Sequence, residues 1–333
     1  MTSAQDSTQT QPPLSPVVSV PRPAPARPRR LESFSRRVSE ALSPLAVPDA
    51  YMRGVFRSSG LESHQIELPS ASLHAWVGRN CERPPLLLLH GFGSDAQWQW
   101  FPQVRALSRH FRLFVPDLVY FGRSVCRYED YHLDRQIDAM LELMDHFGVR
   151  RFDLAGISFG GLVAADLASR RGDRVRRSVL IDTPAHVMLR HEYDAMLARM
   201  QVDDIADLLC PAAPEGIRRL MGVAWHSPPP APGFALRDAY RRMFTTQVEE
   251  KRRVMEALVS RIEADELRTR HISAPTLIVW GQHDRIFPVG IAKRLRRTLG
   301  DHARLHVIGD TAHAPNQERP AEFNRTVLRF LTY

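Results

Sequence analysis

Cysteine is scarce in this chain: Cys81, Cys126 and Cys210 are the only three among 333 residues. An odd number, with neither pairwise nor metal-ligand spacing, argues against a disulfide framework and a thiolate metal cage, and leads us to expect reduced thiols and a cytoplasmic home. Lysine is rarer still, with Lys251 and Lys293 alone, so the formal charge of +8 is carried almost wholly by arginine. That charge is spread thinly along the chain. Its densest cluster, Lys293-Arg294-Leu295-Arg296-Arg297, falls in a helical stretch as a solvated face and lacks the interleaved aromatics of a single-strand binder, so no nucleic-acid partner is expected. Long apolar runs are also missing. Leu86 to Leu89, behind two prolines, is far too short to cross a bilayer. No internal repeat is visible. A hydrophobic fraction of 44% nevertheless supplies a sizeable core, enough for one large α/β domain carrying an insertion or for two medium ones.

Residues 1–30 are rich in Pro, Ser, Thr and Gln and have too few bulky apolar side chains to fold, so they read as a disordered tail. Within it, Leu14 to Val20 is broken by Pro16 and preceded by no basic residue, which makes a poor signal peptide. An amphipathic N-terminal segment covers 31–62. In it Leu31, Phe34, Val38, Ala41, Leu42 and Leu45 recur at helical spacing opposite Arg36 and Arg37. Such a helix packs back on the main domain or, through 31–47, touches a membrane surface peripherally.

From Ser63 the pattern turns to strands. His64 to Leu68 and Ala71 to Val77 alternate about Pro69-Ser70 as an antiparallel hairpin, and Leu86 to Leu89 is a strand buried on both faces. A helix follows with Trp98, Phe101, Val104 and Leu107 inward, then the strand Phe111 to Val115. The next helix carries the stripe Ile137, Met140, Leu141 and Met144. Strand, sharp turn and helix then succeed one another through Arg151-Phe152-Asp153-Leu154-Ala155-Gly156-Ile157-Ser158-Phe159-Gly160-Gly161, with Ser158 at the apex. So tight a turn strains the apical backbone and leaves no room for side chains two positions away, which Gly156 and Gly160 provide. Arg177 to Ile181 is the next strand. Alternation then stops from 185 to 270, where mainly helical segments joined by proline-rich links form an inserted cap. It resumes at Pro275 to Trp280 and runs through Ala303 to Ile308 to a last helix near Pro320 to Leu331. The core is thus in two parts, 63–184 and 271–333.

A serine hydroxyl becomes a nucleophile when a base lies within hydrogen-bond reach and a carboxylate orients that base. His313 and Asp284 fill these places, because each follows a strand at the edge from which Ser158 emerges and the chain order is Ser, Asp, His. Asp182, at the end of the strand after the turn, is the rival acid or else a loop-capping residue. His283 adjoins Asp284 and would point away from it, and His90 reads as a scaffold hydrogen-bonder. The oxyanion of acyl transfer needs preorganised donors, and the backbone N–H groups of Phe92, within His90-Gly91-Phe92-Gly93, and Phe159 suit this.

Taken together, Leu88-Leu89-His90-Gly91-Phe92-Gly93, Pro116-Asp117 through Gly122-Arg123-Ser124, Gly156-Ile157-Ser158-Phe159-Gly160-Gly161, Gly281-Gln282-His283-Asp284 and Ala312-His313 resemble an α/β-hydrolase-fold serine hydrolase of the capped, esterase-like or monoacylglycerol-lipase-like branch. The resemblance spans about Ser63 to Tyr333. It implies a mostly parallel eight-stranded sheet flanked by helices, with catalytic roles for Ser158, Asp284, His313 and the two amides and no cofactor or metal. Epoxide hydrolases and haloalkane dehalogenases of this fold carry an Asp nucleophile where this chain has Ser158. Cleavage of a small-molecule carboxylic ester with an uncharged, moderately apolar acyl group is therefore the expected activity. Carbon–carbon bond hydrolysis with the same triad, or ligand reception on a hydrolase scaffold, are the alternatives.

Overall fold

Alternating apolar runs and amphipathic helices assemble into one twisted sheet with helices on both faces. A computed structural model describes residues 45–185, 187–263 and 271–333; the tail and the amphipathic stretch up to residue 44 lie outside them. The described chain opens with α1 (Ala46–Ser58) and the hairpin β1 (Leu61–Glu67) and β2 (Ala71–Gly78), in register from Leu61 opposite Gly78 to Glu67 opposite Ser72. There follow β3 (Pro85–Leu89), α2 (Ala96–Leu107), β4 (Arg112–Pro116), β5 (Val125–Cys126), α3 (Leu133–His146), β6 (Phe152–Ile157), α4 (Phe159–Arg170) and β7 (Val175–Ile181). Strand order is β1-β2-β4-β3-β6-β7, then β8 (Thr276–Gly281) and β9 (Ala303–Ile308); β1, β2 and β5 pair antiparallel and the others parallel. The sheet has nine strands, not the expected eight. The extra one is β5, paired with β2, and two residues are too few to show a period in sequence.

Successive strand residues point to opposite faces, so the sheet divides its own core. Leu87, Leu89, Leu154 and Leu180 pack with α3 and α4, whereas Leu86, Leu88, Ala155 and Val179 pack with α1, α2 and the last helix, Pro320–Thr332. In α2 the structure departs from the expected stripe. Val104 and Leu107 are buried, but Trp100 takes the fully buried place and Phe101 moves to a half-buried edge against Tyr51, with ring centroids 5.7 Å apart. The cause is polar: Gln97 and Gln103 share the buried side and donate to the Asp49 carboxylate (2.6 Å) and the Asn316 carbonyl (2.7 Å), a face that hydrophobic periodicity does not register.

Between β7 and β8 the chain is helical: α5 (Arg190–Met200), α6 (Ile205–Leu209), α7 (Pro214–Ala224), α8 (Gly233–Ala239), a π-helix at Tyr240–Phe244 and α9 (Val248–Glu263). Arg294, from the basic cluster expected to be a solvated face, instead bonds the Val187 carbonyl at 3.0 Å and pairs with Glu192, tying this insert to the core.

The elbow after β6 shows why glycine is required there. A Cβ on Gly156 would stand 2.2 Å from the Gly160 carbonyl oxygen, and one on Gly160 would stand 2.3 Å from that of His90, both backbone atoms that cannot step aside. Gly156→Ala is therefore expected to lose about 1–3 kcal/mol of unfolding free energy, or more, as an overpacked core does. Urea denaturation checks this, with Gly54→Ala as the control because its Cβ would meet nothing within 4 Å.

Candidate active site

From β3 the chain builds the sheet toward β4 on one side, while from β6 it builds toward β7 on the other, and β3 and β6 are neighbours with Leu89 opposite Gly156. Loops leaving the carboxyl ends of strands at such a reversal diverge and open a crevice. His90–Gly93 lines one wall and Ser158 the other. They are so close that a Cβ on Gly91 would lie 3.5 Å from the Ser158 Cβ. Ser158 adopts φ 54° and ψ −118°, donates its N–H to the Ile181 carbonyl at 2.9 Å and caps α4. Its Oγ forms no hydrogen bond among the described residues and faces a cavity of roughly 400 Å³. Phe159, the first residue of α4, precedes any intrahelical acceptor. Neither its N–H nor that of Phe92 finds an acceptor among the described residues, and both residues line the cavity. The two rings are held with Phe121 in a mutual cluster, Phe92 to Phe121 at 4.9 Å and Phe92 to Phe159 at 5.7 Å between centroids.

The loops after β8 and β9 supply the remaining groups. They run so close that a Cβ on Gly281 would overlap the Ala312 carbonyl oxygen, and the His283 N–H donates to the Thr311 carbonyl at 2.8 Å. His313 Nδ1–H donates to Asp284 Oδ2 at 2.8 Å, while Asp284 Oδ1 accepts the N–H groups of Ile286 at 2.8 Å and Phe287 at 2.9 Å. The acid is thereby fixed in one rotamer and the histidine in the tautomer that leaves Nε2 unprotonated. Glu318 accepts the Ala312 N–H at 2.7 Å and steadies the same loop. Asp182 lies beside this pair, yet its Oδ1 accepts the Gly281 N–H at 2.8 Å and the ring contact belongs to Asp284.

His90 is scaffold: Nε2 accepts the Leu118 N–H and Nδ1 donates to the Gly91 carbonyl, both at 2.8 Å, and burial holds its pKa below the ordinary value. His283 points to the surface, stacked on His226 with centroids 4.5 Å apart. His226, His283 and Asp310 form one of two clusters of metal-ligating types among the described residues; Asp310 is paired with Arg319 at 3.0 Å. The other is Asp182, Asp284 and His313, of which the last two are bonded to each other.

Two contributors escaped the sequence reading. Met255, Leu258, Val259 and Ile262 of α9 line the cavity, and their helical spacing was a readable signal. Lys251 is buried, donates to the carbonyls of Met243 (2.8 Å) and Thr246 (2.9 Å) and lies over the Phe121 ring; a lone lysine gives no such hint.

A sheet of this order, with a serine on a strained strand-to-helix turn and a His–Asp pair on two later loops, defines a serine-type hydrolase. The chain belongs to the alpha/beta hydrolase fold family, which it matches over residues 84–320. It is 28% identical over 270 residues to a 2-hydroxy-6-oxo-2,4-heptadienoate hydrolase of Pseudomonas putida, covering 74% of this chain and 88% of that one. It is 30% identical over 259 residues to haloalkane dehalogenase 2 of Mycobacterium tuberculosis, covering 74% and 87%. Among solved structures, a membrane phospholipase A described as a bacterial virulence factor superposes with a TM-score of 0.72 at 27% identity, covering 91% of this chain and 96% of that one.

A second carboxyl network steadies the wall that carries Phe92. Asp117 accepts from His74 Nδ1 (2.8 Å) and from the N–H groups of Ala96 and Arg123 (both 2.9 Å). Asp95 caps α2 by accepting the Trp98 N–H at 2.8 Å, and burial followed by the charge of Asp117 pushes its pKa up to about 7. A carboxyl raised on folding keeps its proton where the unfolded chain has lost it, so stability declines between about pH 4 and that raised value. Asp95→Asn, which retains the cap, is expected to melt higher than the wild type at pH 8 but not at pH 4, as read by calorimetry.

Proposed function

We propose that the protein is a serine esterase that cleaves a carboxylic ester bearing an uncharged, moderately apolar acyl group. Ser158 Oγ attacks the carbonyl as His313 Nε2 takes its proton, Asp284 holds the imidazole and stabilises its cation, and the N–H groups of Phe92 and Phe159 receive the oxyanion. His313 returns the proton to the departing alcohol, leaving an acyl-Ser158 ester. Water, deprotonated by the same imidazole, then releases the acid.

The observation that carries the choice of substrate is the lining of the cavity. Met188, Met196, Met221, Met243, Met255 and Phe244 contribute to it, its polar members include Ser94, Gln99 and Gln317, and among the described residues no Arg, Lys, Asp or Glu lines it. A substrate carrying a carboxylate, as a dienoate does, would be desolvated there without a countercharge, a cost that weighs against the carbon–carbon cleavage reading. Dehalogenation is disfavoured by the serine at the apex. Methionine-rich walls instead adapt to apolar chains of variable shape.

Ser158→Ala is expected to abolish ester turnover and fluorophosphonate labelling with a nearly unchanged melting temperature, since it removes one hydroxyl from a cavity wall. Turnover surviving the substitution would refute the acyl-enzyme, and an unlabelled wild type lacking an acyl burst would point to a receptor. Among activated esters, catalytic efficiency should rise from acetate through butyrate to hexanoate, each buried methylene contributing up to about 0.8 kcal/mol until the cavity is filled. Equal or better efficiency with acetate would contradict an apolar acyl site.

A further inference from the structure

We propose that Asp182 is a positioning residue that remains a neutral carboxylic acid at working pH and donates its proton in a hydrogen bond to the Asp284 carboxylate. It acts through Asp284, and the inference rests on the triad reading above.

Asp182 follows β7 at φ 41°, its N–H donating to the Val279 carbonyl at 3.0 Å, and its side chain is fully buried. Oδ1 accepts the Gly281 N–H, whereas the buried Oδ2 has no partner among the described residues. One carboxyl oxygen of Asp182, one of Asp284 and a ring nitrogen of His313 all lie within 4.8 Å of one another. Two ionised carboxylates that close, both away from water, repel strongly, and the inexpensive solution is one proton between them. The distribution of donors decides where it sits. Asp284 receives three, from Ile286, Phe287 and His313, and Asp182 receives one, so ionisation is stabilised at Asp284 and the proton belongs to Asp182. A proton on Oδ2 also gives that otherwise orphaned atom something to do. The charged groups acting on Asp182 point the same way: burial first, then Asp284, with Glu318 adding to them, raise its pKa well above the ordinary carboxylate value. His313, the remaining titratable neighbour, is occupied by Asp284. Asp182 does not line the cavity, so it touches no substrate. Its function is to complete the hydrogen bonding of the acid and to leave a single anion facing the imidazole.

The test uses two substitutions in the full chain. In Asp182→Asn the amide keeps a neutral donor toward Asp284 and an acceptor for Gly281. Asp182→Ala loses both. Infrared difference spectra of wild type minus Asp182→Asn at neutral pH should show the C=O stretch of a protonated carboxylic acid, and the same band should appear when both proteins also carry Ser158→Ala. Melting temperatures should diverge in favour of Asp182→Asn as pH rises above about 4, because the unfolded wild type releases a proton that the folded one retains. In turnover, Asp182→Ala should fall about tenfold, the usual weight of a hydrogen bond to a charged group, with its acid limb moved to higher pH, and Asp182→Asn should recover most of that loss with the limb in its original place. Absence of the infrared band, an acid limb moved to lower pH in Asp182→Asn, or identical behaviour of Ala and Asn would each overturn the proposal. The infrared and melting readouts require no turnover, whereas an Asp284→Asn enzyme as active as wild type would remove the triad reading itself and leave them standing.

Discussion

The structure depends on one backbone conformation, the positive φ of Ser158 between a buried strand and a helix. A residue in that region persists only when its surroundings fix it. Here they do so through close contacts at glycine: Gly156 lies against the Gly160 backbone, Gly160 against the carbonyls of Leu89 and His90, and Gly161 against the Thr183 side chain. These approaches draw the N-terminus of α4 down onto three neighbouring strand ends at once. The same packing that lifts the hydroxyl out of the sheet therefore sets how far Phe92 on one side and Asp182 on the other stand from it. Side-chain chemistry at the site is downstream of a glycine-to-backbone fit.

The other half of the site is stitched from two loops that lack regular structure, and its rigidity has another source. Gly281 and Ala312 are in backbone contact, His283 is bonded to Thr311, and Glu318 accepts N–H groups from Ala312, His226 and Ser227. One carboxylate thus joins the loop of His313 to the insert. Buried polar groups in such a place are expensive unless each is satisfied, and partly satisfied ones shift their protonation. Both are raised: Asp95, which caps α2 in the stretch that carries the Phe92 amide, and Asp182, which follows β7 beside Asp284.

Much of this was legible in the sequence because strand ends are punctuated by chemistry. His90-Gly91-Phe92-Gly93, the glycine-flanked Ser158, Asp284 and His313 each follow an apolar run, and a parallel sheet places all such positions on one edge. What stayed hidden has physical reasons. Val125-Cys126 is too short to show a period, and Trp100 displaced Phe101 from the core because Gln97 and Gln103 on the same face found partners far away in sequence, Asp49 and Asn316. The importance of Lys251 comes from its burial within the insert over the Phe121 ring, which no local pattern encodes. The helix expected from Leu31 lies mostly outside the described residues, whereas Ala46–Ser58 packs against α2 through partners such as Asp49 and Gln97.

Relatives that share this sheet at 28–30% identity bear the names of different hydrolytic activities, so the sheet edge by itself does not determine the bond cleaved. The residue at the elbow apex, serine in this chain, is one determinant, and what closes over the edge is another. In this chain the closure comes largely from the helices between β7 and β8, and it is anchored at the point where it matters to the chemistry. Lys251 fastens the π-helix through Met243, Met243 and Phe244 line the cavity, and the ammonium sits over Phe121, which packs against both Phe92 and Phe159. A ligand that displaces Phe244 would thus press on Gly93, whose Cα faces that ring, and on the loop bearing the Phe92 amide. The shape of the cavity and the position of the Phe92 amide are mechanically connected here, because a close-packed interior passes displacement on rather than absorbing it.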